Sequence, residues 1–381
     1  MSAESEWLAG QLAAMEQSLA ALVEINSFTD NPEGGRKVGT LLKQAFAIDG
    51  LAAETVPSAR YADHLVFRST GDAGRPPLAI LGHLDTVFPP GKFEGYRVDG
   101  ELRRGPGVLD MKGGLVVIAW ALKAIEKTVG LGKIAPLRIV VVADEEVGSP
   151  EGRPVIEKAI ADCKRCFVFE SGRANDAIVT QRKGTGAITV TAHGKAAHAG
   201  NNHADGANAL WALARFVDKA QALTDYPRGV TVNVGKVTGG QGKNTVPDLA
   251  VAELDIRFQT RADADQLVNQ LHEAAAASGA SVAGTRLEVA GGPARLPMER
   301  SDASVALLNA YATHAKAHGL AADEAPRVGG GSDACTSSAM GIPSIDALGP
   351  RGKGFHTVDE YIEAKTLISR AQALADYLRA G

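Results

Sequence analysis

The sequence predicts an α/β domain with a mostly parallel sheet flanked by helices, interrupted by an inserted ferredoxin-like α+β lid. Three observations lead there. Short apolar runs alternate with helical patterns through the first half of the chain, the signature of a buried parallel sheet. The middle segments follow in the order β-α-β-β-α-β. After them the α/β alternation returns, so one domain encloses the other. A chain of 381 residues is also long for a single core.

Each element has its own signal. Residues 8–24 repeat apolar positions every three or four residues, which predicts a helix; another follows near 36–48. Leu78–Leu81 (LAIL), Leu137–Ala143 (LRIVVVA) and Cys166–Phe169 (CFVF) are apolar runs of strand length, with helices expected at 113–127 and 154–161 between them. The lid begins with the strand Ala187–Ala192. It continues through a helix at Gly206–Ala222, strands at Val230–Val237 and Leu249–Phe258, a helix at Ala262–Ala277 and a strand at Thr285–Val289. Helices near 302–318 and 363–379 flank an apolar segment at 342–348. The expected division is 1–183 with 296–381 for the enclosing domain and 184–295 for the lid, within the usual domain range.

Composition removes several classes of function. Hydrophobic residues at 45% and charged residues at 22% suit an ordinary globular protein. A net charge of -4 leaves no basic footprint for nucleic acid. No run reaches the ~18 apolar residues of a membrane span. The start MSAESEWLAG lacks a basic segment followed by an apolar one, so a cytoplasmic protein is expected. Three cysteines make no disulfide framework. Cys163 and Cys166 form a CxxC, but a structural zinc site needs four ligands and only Cys335 remains. They read as small apolar residues leading into a strand.

Sites in open α/β sheets form beyond the carboxyl ends of strands, and the three apolar runs end on metal-ligand residue types. LAIL runs into Gly82-His83-Leu84-Asp85, LRIVVVAD into Glu145-Glu146, and CFVF into Glu170. His83 and Asp85 are two apart on extended chain and share a face, which suits a histidine ligand oriented by a carboxylate. Asp110 follows a glycine-rich turn and precedes a helix, where it serves equally as a helix cap. Glu145 and Glu146 are adjacent and point apart on a strand end, so one could bind metal while the other acts as general base. His356 lies in a late glycine-rich loop. Singly, each is also an ordinary surface or capping residue. Together they form a mixed N/O donor set suited to zinc, with cobalt or manganese as alternatives. Two such ions, about 3.5–4 Å apart, acidify water to near neutral pH, and a glutamate can relay the proton to a leaving amine.

These segments resemble the co-catalytic zinc peptidases: the family of glutamate carboxypeptidases, aminoacylases, acetylornithine deacetylase and succinyl-diaminopimelate desuccinylase. The matching pieces run in family order over nearly the whole chain: GHLDTVFP (82–89), GPGVLDMKGG (105–114), ADEEVGS (143–149), FES (169–171), AAHAG (196–200), GGGSDA (329–334) and GFHTVDEY (354–361). The resemblance implies two zinc ions per subunit. His83, Asp110 and Glu170 would hold one; Asp110, Glu146 and His356 would hold the other, with Asp110 bridging. It implies Glu145 as general base, Asp85 as the partner of His83, and a cis peptide between Asp110 and Met111. His198 matches a lid histidine that stabilises the tetrahedral oxyanion and, in dimeric relatives, reaches the partner's active site. Family lids pair through an edge strand and a helix, which implies a homodimer.

The pattern is nearest to bacterial glutamate carboxypeptidases. Their substrate-binding residues are matched by Asn244, Arg257, Arg295 and Gly331, and a fixed guanidinium is well suited to a substrate carboxylate. The expected reaction is cleavage of the amide bond of a C-terminal, glutamate-like amino acid from an acyl or peptidyl group. The substrate is then a small molecule or short peptide with a free carboxylate, with no nucleic-acid or membrane partner. The sequence departs from those enzymes at three places. A lid lysine falls at Ala177 or Ile178, a threonine at Val328, and an apolar loop at Pro350-Arg351-Gly352-Lys353. These keep open an N-acyl-amino-acid deacylase or desuccinylase, and an N-carbamoyl amino acid amidohydrolase.

Overall fold

A computed structural model describes residues 2–381. They divide into two compact units, 2–181 with Arg300–Val328 and Ser332–Gly381, and Arg182–Glu299 with Gly329–Gly331. In chain order the first unit begins with α1 (Ala3–Ala9), α2 (Leu12–Val23), α3 (Pro32–Ala45), β1 (Leu51–Val56), β2 (His64–Ser69) and β3 (Leu78–His83). It continues with β4 (Arg97–Asp99), β5 (Leu102–Arg104), α4 (Lys112–Thr128), β6 (Leu137–Val142), α5 (Gly152–Ala159) and β7 (Arg165–Val168). The second unit holds β8 (Gly184–His193), β9 (Ala197–His198), α6 (Ala209–Gln221), β10 (Thr231–Gly239), β11 (Thr245–Val246), β12 (Leu249–Phe258), α7 (Arg261–Ala280) and β13 (Arg286–Arg295). The first unit closes with α8 (Asp302–Ala317), α9 (Ala334–Ala339), β14 (Ser344–Ile345), β15 (Gly352–Lys353), β16 (Tyr361–Glu363) and α10 (Lys365–Ala380).

The main sheet of the first unit runs β1-β2-β6-β3-β7-β14. β6, β3, β7 and β14 pair in parallel, whereas β1, β2 and β6 pair antiparallel. The sheet is therefore mixed, with its parallel half where the apolar runs lie. β3 is buried along its whole length, as a strand covered on both faces must be. The antiparallel strands were not expected: β1 exposes four of its six residues and carries no apolar run. The helix expected over 8–24 is two helices, because the chain breaks at Gly10 and Gln11, with Gly10 capping α1 through Leu8 O. α3 begins earlier than expected, with Asn31 as its cap and Pro32 in the first turn.

The second unit keeps the β-α-β-β-α-β order, in a four-stranded antiparallel sheet ordered β10-β12-β8-β13. β8 and β12 alternate buried and exposed residues. Ile188, Val190, Ala252, Leu254 and Ile256 form one core with Leu213 and Phe216 of α6 and Leu267 and Leu271 of α7. A capping box of Thr260 and Asp263 starts α7. Among the described residues, no helix is long and apolar enough to cross a membrane.

Candidate metal centre

β3, β6 and β7 end side by side, and the residues just beyond them converge. His83 is the last residue of β3 and is buried. Its Nδ1 lies 3.0 Å from Asp85 O and 3.3 Å from Asp85 Oδ1. Its Nε2 faces Asp110 Oδ1 at 3.4 Å and Glu170 Oε1 at 3.6 Å. Asp110 does not cap α4: that helix starts from Met111 without a side-chain cap. Its second oxygen, Oδ2, faces His356 Nε2 at 3.3 Å, and the same nitrogen lies 3.0 Å from Glu146 Oε2. The two oxygens of Asp110 thus address two different imidazoles. The Asp110–Met111 bond is cis, and His356 has a φ of 62°, a left-handed conformation uncommon outside glycine that tends to mark functional sites.

Glu145 and Glu146 sit on a short 3₁₀ turn, Glu145–Val147, rather than on the strand end expected for them. β6 stops at Val142 because Asp144 turns the chain, its Oδ2 accepting from the backbone of Glu151 and Gly152 at the start of α5. The two side chains still diverge. Glu145 joins His83 and Glu170 in one set of donor atoms within 4.8 Å of one another, and Glu146 joins His83 and Asp110 in another. These sets cut across the division between two ions that the resemblance implies. All six of His83, Asp110, Glu145, Glu146, Glu170 and His356 nevertheless belong to one cluster.

Charge at the cluster is strongly perturbed. Burial pushes Glu146 up to about 8 and Glu170 well above the carboxylate range, and neighbouring Asp110 adds to both. Burial also works against ionised Asp110, but hydrogen bonds from His356 and His83 outweigh it and hold that carboxyl low. Hydrogen bonds to Asp110 and Glu146 raise His356 to about 10. Burial opposes charge on His83, but Glu170, Asp110 and Asp85 overcome it and raise that imidazole. Glu146 Oε1 is buried with no hydrogen-bond partner, an orphan of the kind that a cation satisfies. Four carboxylates and two imidazoles converging in this way fit a mixed-ligand divalent site.

Asp85 holds the cluster from behind. Its Oδ1 accepts from Glu145 N at 3.2 Å; its Oδ2 accepts from Glu146 N at 3.2 Å and Thr29 Oγ1 at 2.8 Å. Buried Glu360 does the same for Asp110, accepting from the backbone of Gly107, Leu109 and Asp110; burial pushes it up to about 7. Neither Thr29 nor Glu360 was singled out from the sequence. Glu360 stands inside the GFHTVDEY segment, so a signal was present; Thr29 has none.

The remaining expected residues lie in the second unit. His198, on β9, is exposed, and its Nδ1 accepts from the backbone of Gly200 and Asn201 at 3.1 and 3.0 Å. That fixes the ring proton on Nε2. Arg257 is committed to Asp255 of the same strand through two contacts of 2.7 and 2.8 Å. Arg295 is buried, and a Cβ on Gly331 would lie 2.7 Å from its Cδ, so these two residues are neighbours. Asn244 is exposed beside β11, its carbonyl accepting from Ala199 N.

Residues 180–282 match the M20 peptidase dimerisation domain. Carboxypeptidase G2 of Pseudomonas sp. (strain RS-16) is 28% identical over 94% of this chain and 86% of its own length. The chain is thus similar to carboxypeptidase G2 over most of its length and to M20 peptidases in its dimerisation-domain segment. Solved structures share the fold. Aminopeptidase PepT from Bacillus cereus ATCC 10987 superposes with a TM-score of 0.82 at 20% identity, covering 97% of this chain and 98% of that one. The M20 family metallo-carboxypeptidase Sso-CP2 from Sulfolobus solfataricus gives 0.72 at 16%, covering 96% and 98%. The chain thus carries a segment that matches a peptidase dimerisation domain, inserted in an α/β unit whose carboxylate–histidine cluster could hold a metal ion.

Proposed function

We propose that the chain is a dinuclear zinc hydrolase that releases a C-terminal, glutamate-like amino acid from an acyl or peptidyl group. The observation that carries this reading is Asp110, whose two oxygens face His83 and His356 separately, as a bridge between two ions requires. His83, Asp110 and Glu170 would hold one ion, and Asp110, Glu146 and His356 the other, with cobalt or manganese as alternatives to zinc. Bound there, the pair supplies Lewis acidity to the substrate carbonyl and lowers the pKa of water.

The chain's own residues do the rest. Glu145 takes the proton of the attacking water on its carboxylate and returns it to the leaving nitrogen. Asp85 keeps His83 oriented and, through its two backbone contacts, holds Glu145 and Glu146 in place. In the lid, His198 offers Nε2–H to the carbonyl oxygen as charge develops on it. Asn244, Arg257, Arg295 and Gly331 bind the substrate, a guanidinium gripping its free carboxylate. A homodimer through the dimerisation domain completes the assembly. A cytoplasmic setting is supported by three cysteines that are buried and free.

Two observations favour a second reading, an N-acyl-amino-acid deacylase or desuccinylase. Arg257 is already paired with Asp255, and the lysine expected early in the lid has no counterpart, with Ala177 or Ile178 falling near its place. An N-carbamoyl amino acid amidohydrolase is the more distant alternative. The test is hydrolysis of an acyl-glutamate panel by zinc-loaded protein beside Glu145→Ala and Arg257→Ala. Turnover that vanishes in the first variant and loses mainly KM in the second supports the carboxypeptidase. Bound zinc without acyl-glutamate cleavage refutes the substrate and sends the assay to N-acyl and N-carbamoyl amino acids.

A further inference from the structure

Two loops adjoin Glu170 and His356 of the cluster. Residues 171–176 leave Glu170, and residues 349–353 lead to His356. They run side by side: Gly172 and Arg351 form a parallel bridge, and Gly349 N donates to Glu170 O at 3.0 Å. A Cβ on Gly172 would lie 2.3 Å from the carbonyl oxygens of both Gly349 and Pro350, so only glycine allows this approach. The first loop then turns at Asp176, which has a φ of 58° and donates its N–H to Arg173 O at 2.9 Å.

The carboxylate of Asp176 is held by two arginines at once. Arg351 grips it with a fork, Nε to Oδ1 at 2.9 Å and Nη2 to Oδ2 at 2.6 Å. Arg370 Nη2 reaches Oδ1 at 3.2 Å, and Ala321 N donates to Oδ2 at 3.3 Å. Arg351 Nη1 also binds Glu363 Oε2 at 2.9 Å, and its carbonyl accepts from Glu363 N at 2.8 Å. Arg370 is wholly buried, and its Nε and Nη1 have no partner. Holding one buried carboxylate with a fully buried guanidinium and a second, half-buried one is a costly way to stabilise a fold, since desolvation offsets most of the attraction. What such a fork does well is fix geometry.

We propose that Arg351 is a positioning residue for the metal centre, its fork on Asp176 locking the His356 loop against the Glu170 loop. Arg370 braces Asp176 from the far side. None of the three side chains belongs to the donor cluster. Their effect passes through the backbone of two loops whose spacing sets how far apart Glu170 and His356 stand around Asp110. This role rests on the two-ion reading above.

The test uses the full chain and reads metal binding rather than turnover. Zinc affinity is measured by competition with a chromophoric chelator, and the cobalt absorption spectrum is recorded, for the parent, Arg351→Lys, Arg351→Gln and Glu363→Gln. Lysine keeps the charge but cannot form the fork, so it carries the test if the glutamine variant does not fold. Both Arg351 variants are expected to lose zinc affinity about tenfold, the low end for an outer-shell partner, with displaced cobalt bands. Glu363→Gln, which leaves the fork intact, keeps parental values. A folded Arg351→Lys with parental affinity and spectrum overturns the positioning role alone, as does an equal loss in Glu363→Gln. A parent that binds no zinc overturns the metal reading and this role with it.

Discussion

Replacing Gly114 by alanine tests how closely the start of α4 is packed onto the metal centre. Gly114 is the third residue of α4, buried, four positions after Asp110. A Cβ there would lie 2.1 Å from the carbonyl oxygen of Phe169 and 3.1 Å from Met111 Cε. Carbon–oxygen contacts settle near about 3.3 Å, so the helix and the end of β7 must separate by roughly 1 Å. Two effects oppose each other. Alanine is the better helix former by about 1 kcal/mol. Overpacking costs about 1–3 kcal/mol even where side chains can give way, and the obstacle here is backbone. The clash wins, with a net loss of about 2 kcal/mol and a melting midpoint about 4 °C lower for a unit of this size. Phe169 precedes Glu170, so the shift moves a donor by about twice the ~0.5 Å that a functional constellation tolerates. Zinc affinity should therefore fall together with the melting point. Gly132→Ala, where a Cβ meets nothing within 4 Å, is the reference. If Gly114→Ala melts at or above the parent and binds zinc as well, helix propensity dominates and the packing argument fails.

Asp85→Ala leaves the backbone N–H groups of Glu145 and Glu146 and the Thr29 hydroxyl without their acceptor. It should lower metal affinity about 10–100-fold, read by zinc titration; an unchanged affinity would show that the 3₁₀ turn holds itself. Burial alone would raise Asp376, but hydrogen bonds from His318, Ser2 and Ser5 outweigh it and hold the carboxyl low. A depressed carboxylate stabilises the fold above its unfolded value of about 3.9 and loses that contribution as pH falls through the lower folded value. Asp376→Asn should thus unfold more easily at pH 7, by about 1 kcal/mol after solvent screening. The gap in urea midpoints should narrow as pH falls below the unfolded value, and a gap that widens on acidification contradicts the assignment. Burial raises the thiols of Cys163, to about 12, and of Cys166. A thiol reagent should therefore react slowly with the native protein and reach three equivalents only on unfolding; fast native labelling would show that α5 and β7 open readily.

Much of this fold was legible because its strongest signals are local. β3, β6 and β7 are short apolar runs buried on both faces, and β12 alternates in and out along its whole length. Their ends could be read directly, and with them His83 and Glu170. Glu145 and Glu146 were found although their local structure was not: the turn depends on Asp144 capping α5, seven and eight residues further on. β1 escaped notice because it is largely exposed and pairs only with β2, so its pattern carries no hydrophobic period. The small sheet of β15, β16, β5 and β4 joins segments of two or three residues from distant parts of the chain, too short for any period to show.

The sequence by itself determined which residue types stand where apolar strands end, and hence His83, Glu145, Glu146 and Glu170 of the donor set, because strand burial and side-chain chemistry are properties of neighbouring residues. Tertiary structure alone decided how those donors face one another. That Asp110 presents one oxygen to His83 and the other to His356, separated by 246 positions in the chain, depends on Glu360 holding the Asp110 turn and on Arg351 and Arg370 meeting at Asp176. These are contacts between groups remote in sequence. Their energy depends on angles and distances of tenths of an ångström, which the chain acquires only once its core has closed.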